Sequence, residues 1–161
     1  MAAFPSAILG RFETVVADML DSETSRPRFR LSPSRFTFEK EPEGGRDGTF
    51  RVELSDLTGL RPLHGIGDAI RMASDLAVQV AYFRGGGDLG GGDRKSLNRR
   101  ALDDMLDIAD ACESDTTYDS ENTGIRVVRF LGFERLMDLE RAEIWQARFG
   151  VEWESPIVVY P

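Results

Sequence analysis

The chain of 161 residues has few of the side chains that most often carry catalysis or bind metals. It contains one cysteine, Cys112, and one histidine, His64. A single cysteine excludes an intramolecular disulfide. A lone histidine in a loop-like segment provides neither a metal-ligand set nor the base of a hydrolase triad held by a partner. We therefore expect no catalytic residue, no metal and no cofactor.

Long apolar runs and positive charge are also scarce. No uninterrupted apolar stretch approaches the ~20 residues of a membrane-spanning helix, and the start, MAAFPSAILG, lacks the basic region of a signal peptide. Lysine and arginine number 20 against 28 aspartates and glutamates, so the net charge is −8. Such a chain repels phosphate, which disfavours sequence-independent binding to nucleic acid. We expect synthesis in the cytoplasm and one domain over residues 1–161.

Two segments carry an apolar stripe at helical spacing. The first covers residues 5–21, with Pro5 in its first turn. The second covers residues 96–113, with Ser96 as its cap. The predicted inner face of the second helix consists of Leu102, Met105, Leu106, Ala109 and Cys112.

Other segments alternate between apolar and polar residues, which predicts β-strands. Polar or glycine-rich loops are expected at residues 41–48 and 85–93, and an irregular link at 57–70. The predicted strands cover residues 34–40, 49–56, 75–84, 125–135 and 140–155. This order predicts an α+β fold, with a mixed or antiparallel sheet of about five strands and two helices packed on one face.

The last predicted strand has the clearest pattern. Its odd-numbered positions from Trp145 to Trp153 are apolar, and Gln146, Arg148 and Glu152 fall between them. At ~3.4 Å per residue, fourteen residues span roughly 45 Å, more than twice an ordinary strand. A strand of that length predicts an element that contacts a neighbouring subunit.

A glycine-rich stretch, Gly85–Gly92, offers an alternative of another class. Gly85, Gly87 and Gly90 fit the G-x-G-x-x-G pattern between a strand and a helix, as in dinucleotide-binding proteins. The helix begins too late for its amides to reach a phosphate at the loop, and repeated βαβ units are missing. We keep a small nucleotide-binding protein or enzyme as the lower-ranked interpretation.

Charged residues cluster on the second helix and on the last strands. Carboxylates four residues apart can share a hard cation, but here they are more typical of a solvated face. Arg148 and Glu152 are candidates for contacts between subunits, as is the apolar tail within residues 155–161, which can add to the edge of a neighbouring sheet. The acidic cluster is Asp103, Asp104, Asp107 and Asp110, and the apolar tail residues are Ile157, Val158, Val159 and Tyr160.

The order and lengths of these segments resemble the tail terminator, or tail-completion, proteins of long-tailed bacteriophages. The likeness rests on the opening helix FPSAILGRFETVVADML, the strands TFRVELSD and AVQVAYFR, the helix SLNRRALDDMLDIADACE, and the closing pair IRVVRFLGFER and ERAEIWQARFGVEWES. It covers most of the chain and involves no signature motif.

The resemblance implies a structural protein of the virion that forms a ring, usually a hexamer, on the end of the tail tube. Such a ring stops tube polymerisation and provides the surface that joins the head, and its partners would be the tube protein, the connector and DNA that passes without specific binding. A head-tail adaptor is the alternative of the same class. The acidic cluster would then be a candidate lumen face. Candidate mobile contact residues are Glu43, Arg46, Asp47, Asp88 and Asp93.

Overall fold

Two helices and six strands make up the described part of the chain. The computed structural model describes residues 5–32, 48–54, 61–66, 69–83, 94–114, 125–139 and 142–156. In chain order the elements are α1 (Pro5–Ala17), β1 (Arg30–Leu31), β2 (Thr49–Leu54), β3 (Arg61–Ile66), β4 (Ala69–Phe83), α2 (Arg94–Glu113), β5 (Ile125–Asp138) and β6 (Ala142–Pro156).

The strands form one mixed sheet, which confirms the predicted α+β class. The main order is β1-β2-β4-β6-β5, and β3 pairs with the first part of β4. The short β1–β2 pair is parallel, and the other four pairs of neighbouring strands are antiparallel. β6 has 15 residues, which confirms the predicted length of the closing strand. Its neighbours β4 and β5 have 15 and 14 residues and are longer than predicted.

Both helices pack on the same face of the sheet through apolar stripes. Ile8, Phe12 and Val16 recur every four residues along α1 and are fully buried. The ring of Phe12 meets that of Phe149 on β6 edge-on, at a centroid distance of 5.5 Å. The stripe of α2 packs into the same core and consists of Leu97, Ala101, Met105, Ile108 and Cys112. Burial of these stripes is the main force that fixes the helices on the sheet.

The inner face of α2 differs from the sequence-based prediction. Leu102 and Leu106 are 37% and 53% exposed, whereas Ala101 and Ile108 are fully buried. The prediction was wrong for these two leucines because it set the phase of the helix by its largest apolar side chains. The observed buried face starts at Leu97 and is offset from the predicted face by about one residue. One residue corresponds to a rotation of about 100° around the helix axis.

A further strand, β3, occupies residues 61–66 of the irregular link predicted at residues 57–70, and β4 begins at Ala69 rather than at residue 75. β3 pairs antiparallel with β4, from Arg61 opposite Ala73 to Ile66 opposite Ala69. In the sequence, only Gly67 and Asp68 separate the two strands, and these two residues lie outside the described ranges. Because β6 pairs with β4 along its whole length on one edge, β2 and β3 both lie on the other edge, one after the other.

The face of the sheet opposite the helices is not uniformly polar. Gln146 holds a polar position of the alternating pattern, but it is only 9% exposed and donates a hydrogen bond to Glu134 at 2.6 Å. Next to it, Ala81, Met137 and Ile144 form a small second apolar cluster. Alternation therefore predicts the helix-facing residues of β6 correctly but underestimates burial on the other face.

Gly48 stands where β2 begins, in a conformation that disfavours other residues. Its φ is +78°, and a Cβ placed there would lie 2.8 Å from the carbonyl oxygen of Arg28. We expect Gly48→Ala to lower the free energy of unfolding by about 1–3 kcal/mol, because strain and a backbone clash add. Urea denaturation followed by circular dichroism measures the loss.

Gly10 provides the matched control for this substitution. It lies inside α1, and a Cβ there would meet nothing within 4 Å. Gly10→Ala is therefore expected to stabilise the protein by up to about 1 kcal/mol. Equal effects of the two substitutions would contradict the assignment of strain to Gly48.

Candidate functional site

A groove of about 810 Å³ opens between the connector that follows α1 and helix α2. One wall is the connector between α1 and β1, from Leu20 to Arg28, and the other is α2, from Arg100 to Asp107. Leu20 pairs with Pro27 as an isolated bridge, which folds the connector back on itself. Gly48 and Tyr82 line the groove between the two walls.

The base of the groove is held by a buried network of charged and polar groups. Asp104 is 5% exposed and lies on the inner side of α2. Its carboxylate accepts a hydrogen bond from the Tyr82 hydroxyl at 2.7 Å and another from the Arg28 guanidinium. Arg28 also donates to Asp107 at 2.7 Å. The network thus ties the connector to α2 and to β4.

This network is unsuited to acid–base catalysis. Burial raises the pKa of Tyr82 well above its ordinary value, and the negative charge of Asp104 raises it further. The phenol therefore remains protonated near neutral pH and acts only as a donor. Both Asp104 and Asp107 are already paired with Arg28. The geometry provides a rigid latch and no nucleophile next to a base.

The rim of the groove combines apolar and charged side chains. Leu20 and Leu106 are 57% and 53% exposed on opposite walls. The guanidinium carbon of Arg100 lies 5.5 Å from the centroid of the Tyr82 ring. Exposed leucines bordered by charge are more typical of a protein-contact surface than of a small-molecule site, which is usually a mostly apolar cavity with few polar groups.

The four acidic residues predicted as one cluster occupy different environments. Asp103, Asp107 and Asp110 are exposed, whereas Asp104 is buried. The solvated-face interpretation is therefore wrong for Asp104. Asp110 accepts a long hydrogen bond of 3.4 Å from Ser114. No group of three or more potential metal ligands occurs in the described ranges.

Of the predicted contact residues, two lie within the described part of β6. Arg148 is exposed and Glu152 is half-buried, both on the face opposite the helices. His64 falls in β3, and Cys112 is buried on the inner side of α2. The remaining predictions concern residues outside the described ranges. They are the contact residues Glu43, Arg46, Asp47, Asp88 and Asp93, the Gly85–Gly92 loop, the strand predicted at 34–40, and the tail residues Ile157, Val158, Val159 and Tyr160.

Sequence reasoning missed Arg28 and Tyr82 as partners of Asp104. The signal that pointed to a partner lay in α2, since Asp104 falls between Ala101 and Ile108 on the buried stripe. A buried carboxylate needs a cation or several donors. The identity of those donors could not be read from the chain, because Arg28 is 76 residues away in sequence.

None of the described helices is long and apolar enough to cross a membrane. Comparison with known proteins finds no family model that matches this chain, and no significant match among curated proteins.

Proposed function

We propose that this chain is a structural ring subunit of a phage virion, namely the tail terminator that caps the tail tube and joins it to the head. The observation that carries the proposal is the set of adjacent strands β4, β5 and β6, each 14 or 15 residues long. Strands average about six residues in globular domains. Three neighbouring strands of more than twice that length provide a stiff, extended surface for contacts between subunits.

The charge of the chain supports the passage of DNA through such a ring. A net charge of −8 repels the phosphate backbone, so that DNA can slide without sticking. The groove favours the same class of protein, because its buried groups form a latch and its rim carries exposed leucines. A scaffold that must keep its shape under load benefits from a rigid polar network of this kind.

The direct test is capping of tail tubes. Purified chain is added to preformed tubes of the tube protein whose gene neighbours this one, together with free tube subunits, and tube lengths are measured by electron microscopy. We expect growth to stop and a ring-shaped density to appear at tube ends. The heat-denatured chain is the control for folded structure. Tubes that lengthen normally with bare ends would contradict the terminator function.

The same assay separates the two structural alternatives. A head-tail adaptor would leave tube growth unchanged and would bind the isolated portal or connector ring. A nucleotide-binding protein would do neither, and its melting temperature would rise when nucleotide is added, because a ligand of the native state stabilises that state.

A further inference from the structure

The edges of the sheet are protected against pairing with another strand. β1, at one end, has only two residues. β3 contains Pro62 and shifts register directly after it. β5, at the other end, shifts register at three places, and its Phe130 N–H donates to a carboxylate oxygen of Glu113 on α2 at 2.5 Å. Short strands, proline and bulges are the common means of blocking edge-to-edge association. Within the described ranges, the faces of the molecule are therefore better suited to contacts with other subunits than these edges.

One face carries a basic patch with an apolar centre, which we name the β5–β6 patch and define as Arg129, Leu131 and Arg148. Leu131 is 47% exposed and lies against Gly150, since a Cβ placed on that glycine would be 3.7 Å from it. Arg129 stands opposite Gly150 in the pairing of β5 with β6. Both arginines are exposed, and among the described residues neither has an ion-pair or hydrogen-bond partner.

The acids near this patch already have partners. Glu134 accepts a hydrogen bond from Gln146 at 2.6 Å, and Asp75 and Glu152 each take part in an interaction of their own. Among the described residues, the two arginines are therefore the charges near this patch that have no hydrogen-bond or ion-pair partner. Two unpaired arginines beside an exposed leucine are a candidate for docking against an acidic surface.

The outward side of α2 provides a surface of the opposite charge, which we name the α2 stripe. Leu102 and Leu106 lie one helical turn apart and are 37% and 53% exposed. Asp103 and Asp110 flank them, are exposed and have no arginine partner among the described residues. Asp107 adds a further exposed carboxylate, one oxygen of which is bound by Arg28. Arg99 lies one turn before Leu102, at the N-terminal boundary of the stripe.

We propose that the β5–β6 patch of one copy of this chain docks on the α2 stripe of the next copy. Leucines from both copies would form the apolar centre, and Arg129 and Arg148 would face Asp103 and Asp110. Apolar contacts at the centre with charges around them are the usual arrangement of a protein interface. This inference rests on the proposed ring function and specifies how its subunits join.

The directions of the two surfaces favour a head-to-tail contact over a twofold dimer. Arg148 lies on the sheet face opposite to that of Phe149, which packs on α1. The α2 stripe points away from the sheet on the helix side. One chain therefore offers two different surfaces on opposite sides. A contact between unlike surfaces repeats from copy to copy and closes into a ring when the rotation permits. It also places Asp103 and Asp110 between subunits, whereas the sequence-based expectation placed them on the lumen.

Charge reversal tests the pairing of these surfaces. One variant carries Arg129→Glu and Arg148→Glu, and the other carries Asp103→Arg and Asp110→Arg. Each alone places like charges across the contact, so we expect self-association to weaken at least about 100-fold by sedimentation velocity. Mixed in equal amounts, the two variants restore opposite charges at both kinds of contact. We expect assemblies to return, and native mass spectrometry to show the variants alternating in even-numbered species.

Matched reversals elsewhere control for changes in net charge and folding. Arg26→Glu with Arg30→Glu alters two other exposed arginines, and Asp18→Arg with Glu23→Arg alters two other exposed acids. Both should associate like the original chain. Circular dichroism shows whether each variant is folded, and any unfolded variant is replaced by its alanine counterpart.

The outcomes distinguish the docking inference from the ring function. A chain that stays monomeric up to about millimolar concentration, reversal variants that assemble like the original, or a mixture that does not recover would each overturn the inference. If the reversal variants still cap tubes, the terminator function stands and the subunit contact lies elsewhere. If the mixture recovers assembly but neither it nor the original chain caps tubes, the contact stands and the terminator function is wrong.

Discussion

Asp104→Ala is expected to lower the free energy of unfolding by about 3 kcal/mol. The substitution leaves the buried Tyr82 hydroxyl and the Arg28 guanidinium without their shared acceptor. Removing one partner of a buried ion pair costs about 3–5 kcal/mol, because the other charge remains desolvated. The Arg28 side chain is 25% exposed, so water screens part of that loss and the lower end of the range applies.

Two variants on the same helix make the measurement specific. Asp103 is adjacent, exposed and unpaired among the described residues, so Asp103→Ala should change stability by no more than about 0.5 kcal/mol. Asp104→Asn keeps hydrogen-bonding capacity but removes the charge, and should cost about 1–2 kcal/mol. Urea denaturation of the three variants gives the comparison. If Asp104→Ala and Asp103→Ala behave alike, the network contributes little and water replaces the carboxylate.

The length and the helix-facing side of β6 could be predicted from the sequence. Trp145, Phe149 and Trp153 are buried, as the alternation of apolar and polar residues along β6 predicts. The same pattern did not reveal that Ile144 is also fully buried on the other face. Alternation predicts burial of only one face of a strand. In a central strand such as β6, the side chains of two long neighbouring strands also bury residues on the other face.

The β3–β4 hairpin was missed because its local signals conflict. Pro62 and Gly65 in RPLHGI weaken the strand pattern, and this favoured a loop. The pairing of β3 with β4 outweighs that weak propensity, as tertiary context often does in sheets. In the sequence, the dipeptide Gly67–Asp68 is typical of a hairpin turn, but it predicts a hairpin only when the segments on both sides are already interpreted as strands.

The groove depends on contacts that local patterns cannot encode. Tyr82 and Asp104 are 22 residues apart, and Arg28 reaches Asp104 from the other side of the groove. Helical periodicity places Asp104 on the inner side of α2 once the phase is set by Leu97. Which cation reaches it depends on the path of the connector, and that path is fixed by tertiary packing.

The α2 stripe was not predicted from the sequence, because the helical phase chosen for α2 placed its two leucines on the buried face. If Leu102 and Leu106 belong to the core, the outer side of α2 is mostly acidic and is interpreted as a solvated or lumen-facing surface. With both leucines exposed, the acids Asp103 and Asp110 lie beside an apolar strip. An acidic surface with an apolar centre fits a protein contact better than free exposure to solvent.

Phe149→Ala is expected to have the largest effect on stability. Phe149 is fully buried in the middle of β6, and its ring contacts Phe12 on α1 at 5.5 Å and Phe130 on β5 at 5.7 Å. Truncation of a buried phenylalanine costs about 3–5 kcal/mol, because apolar contacts are lost and a cavity remains. A domain of this size is stable by about 5–15 kcal/mol, so the variant should retain only part of its stability. Phe149→Leu preserves most of the volume and should cost less than about 1.5 kcal/mol.

Arg148→Ala supplies a control whose outcome also bears on the subunit contact. Arg148 is the adjacent residue but lies exposed on the opposite face, so its removal should leave the dilute, monomeric chain unchanged to within about 0.5 kcal/mol. When copies associate, apparent stability rises with protein concentration. Phe149→Ala weakens the fold of each subunit, so it should lower the free energy of unfolding at every protein concentration. Arg148→Ala weakens only the contact between subunits, so it should lower the apparent stability only at concentrations where the original chain assembles. Denaturation curves at several concentrations measure both, and an effect of Arg148→Ala at high dilution would place Arg148 in the fold rather than in the interface.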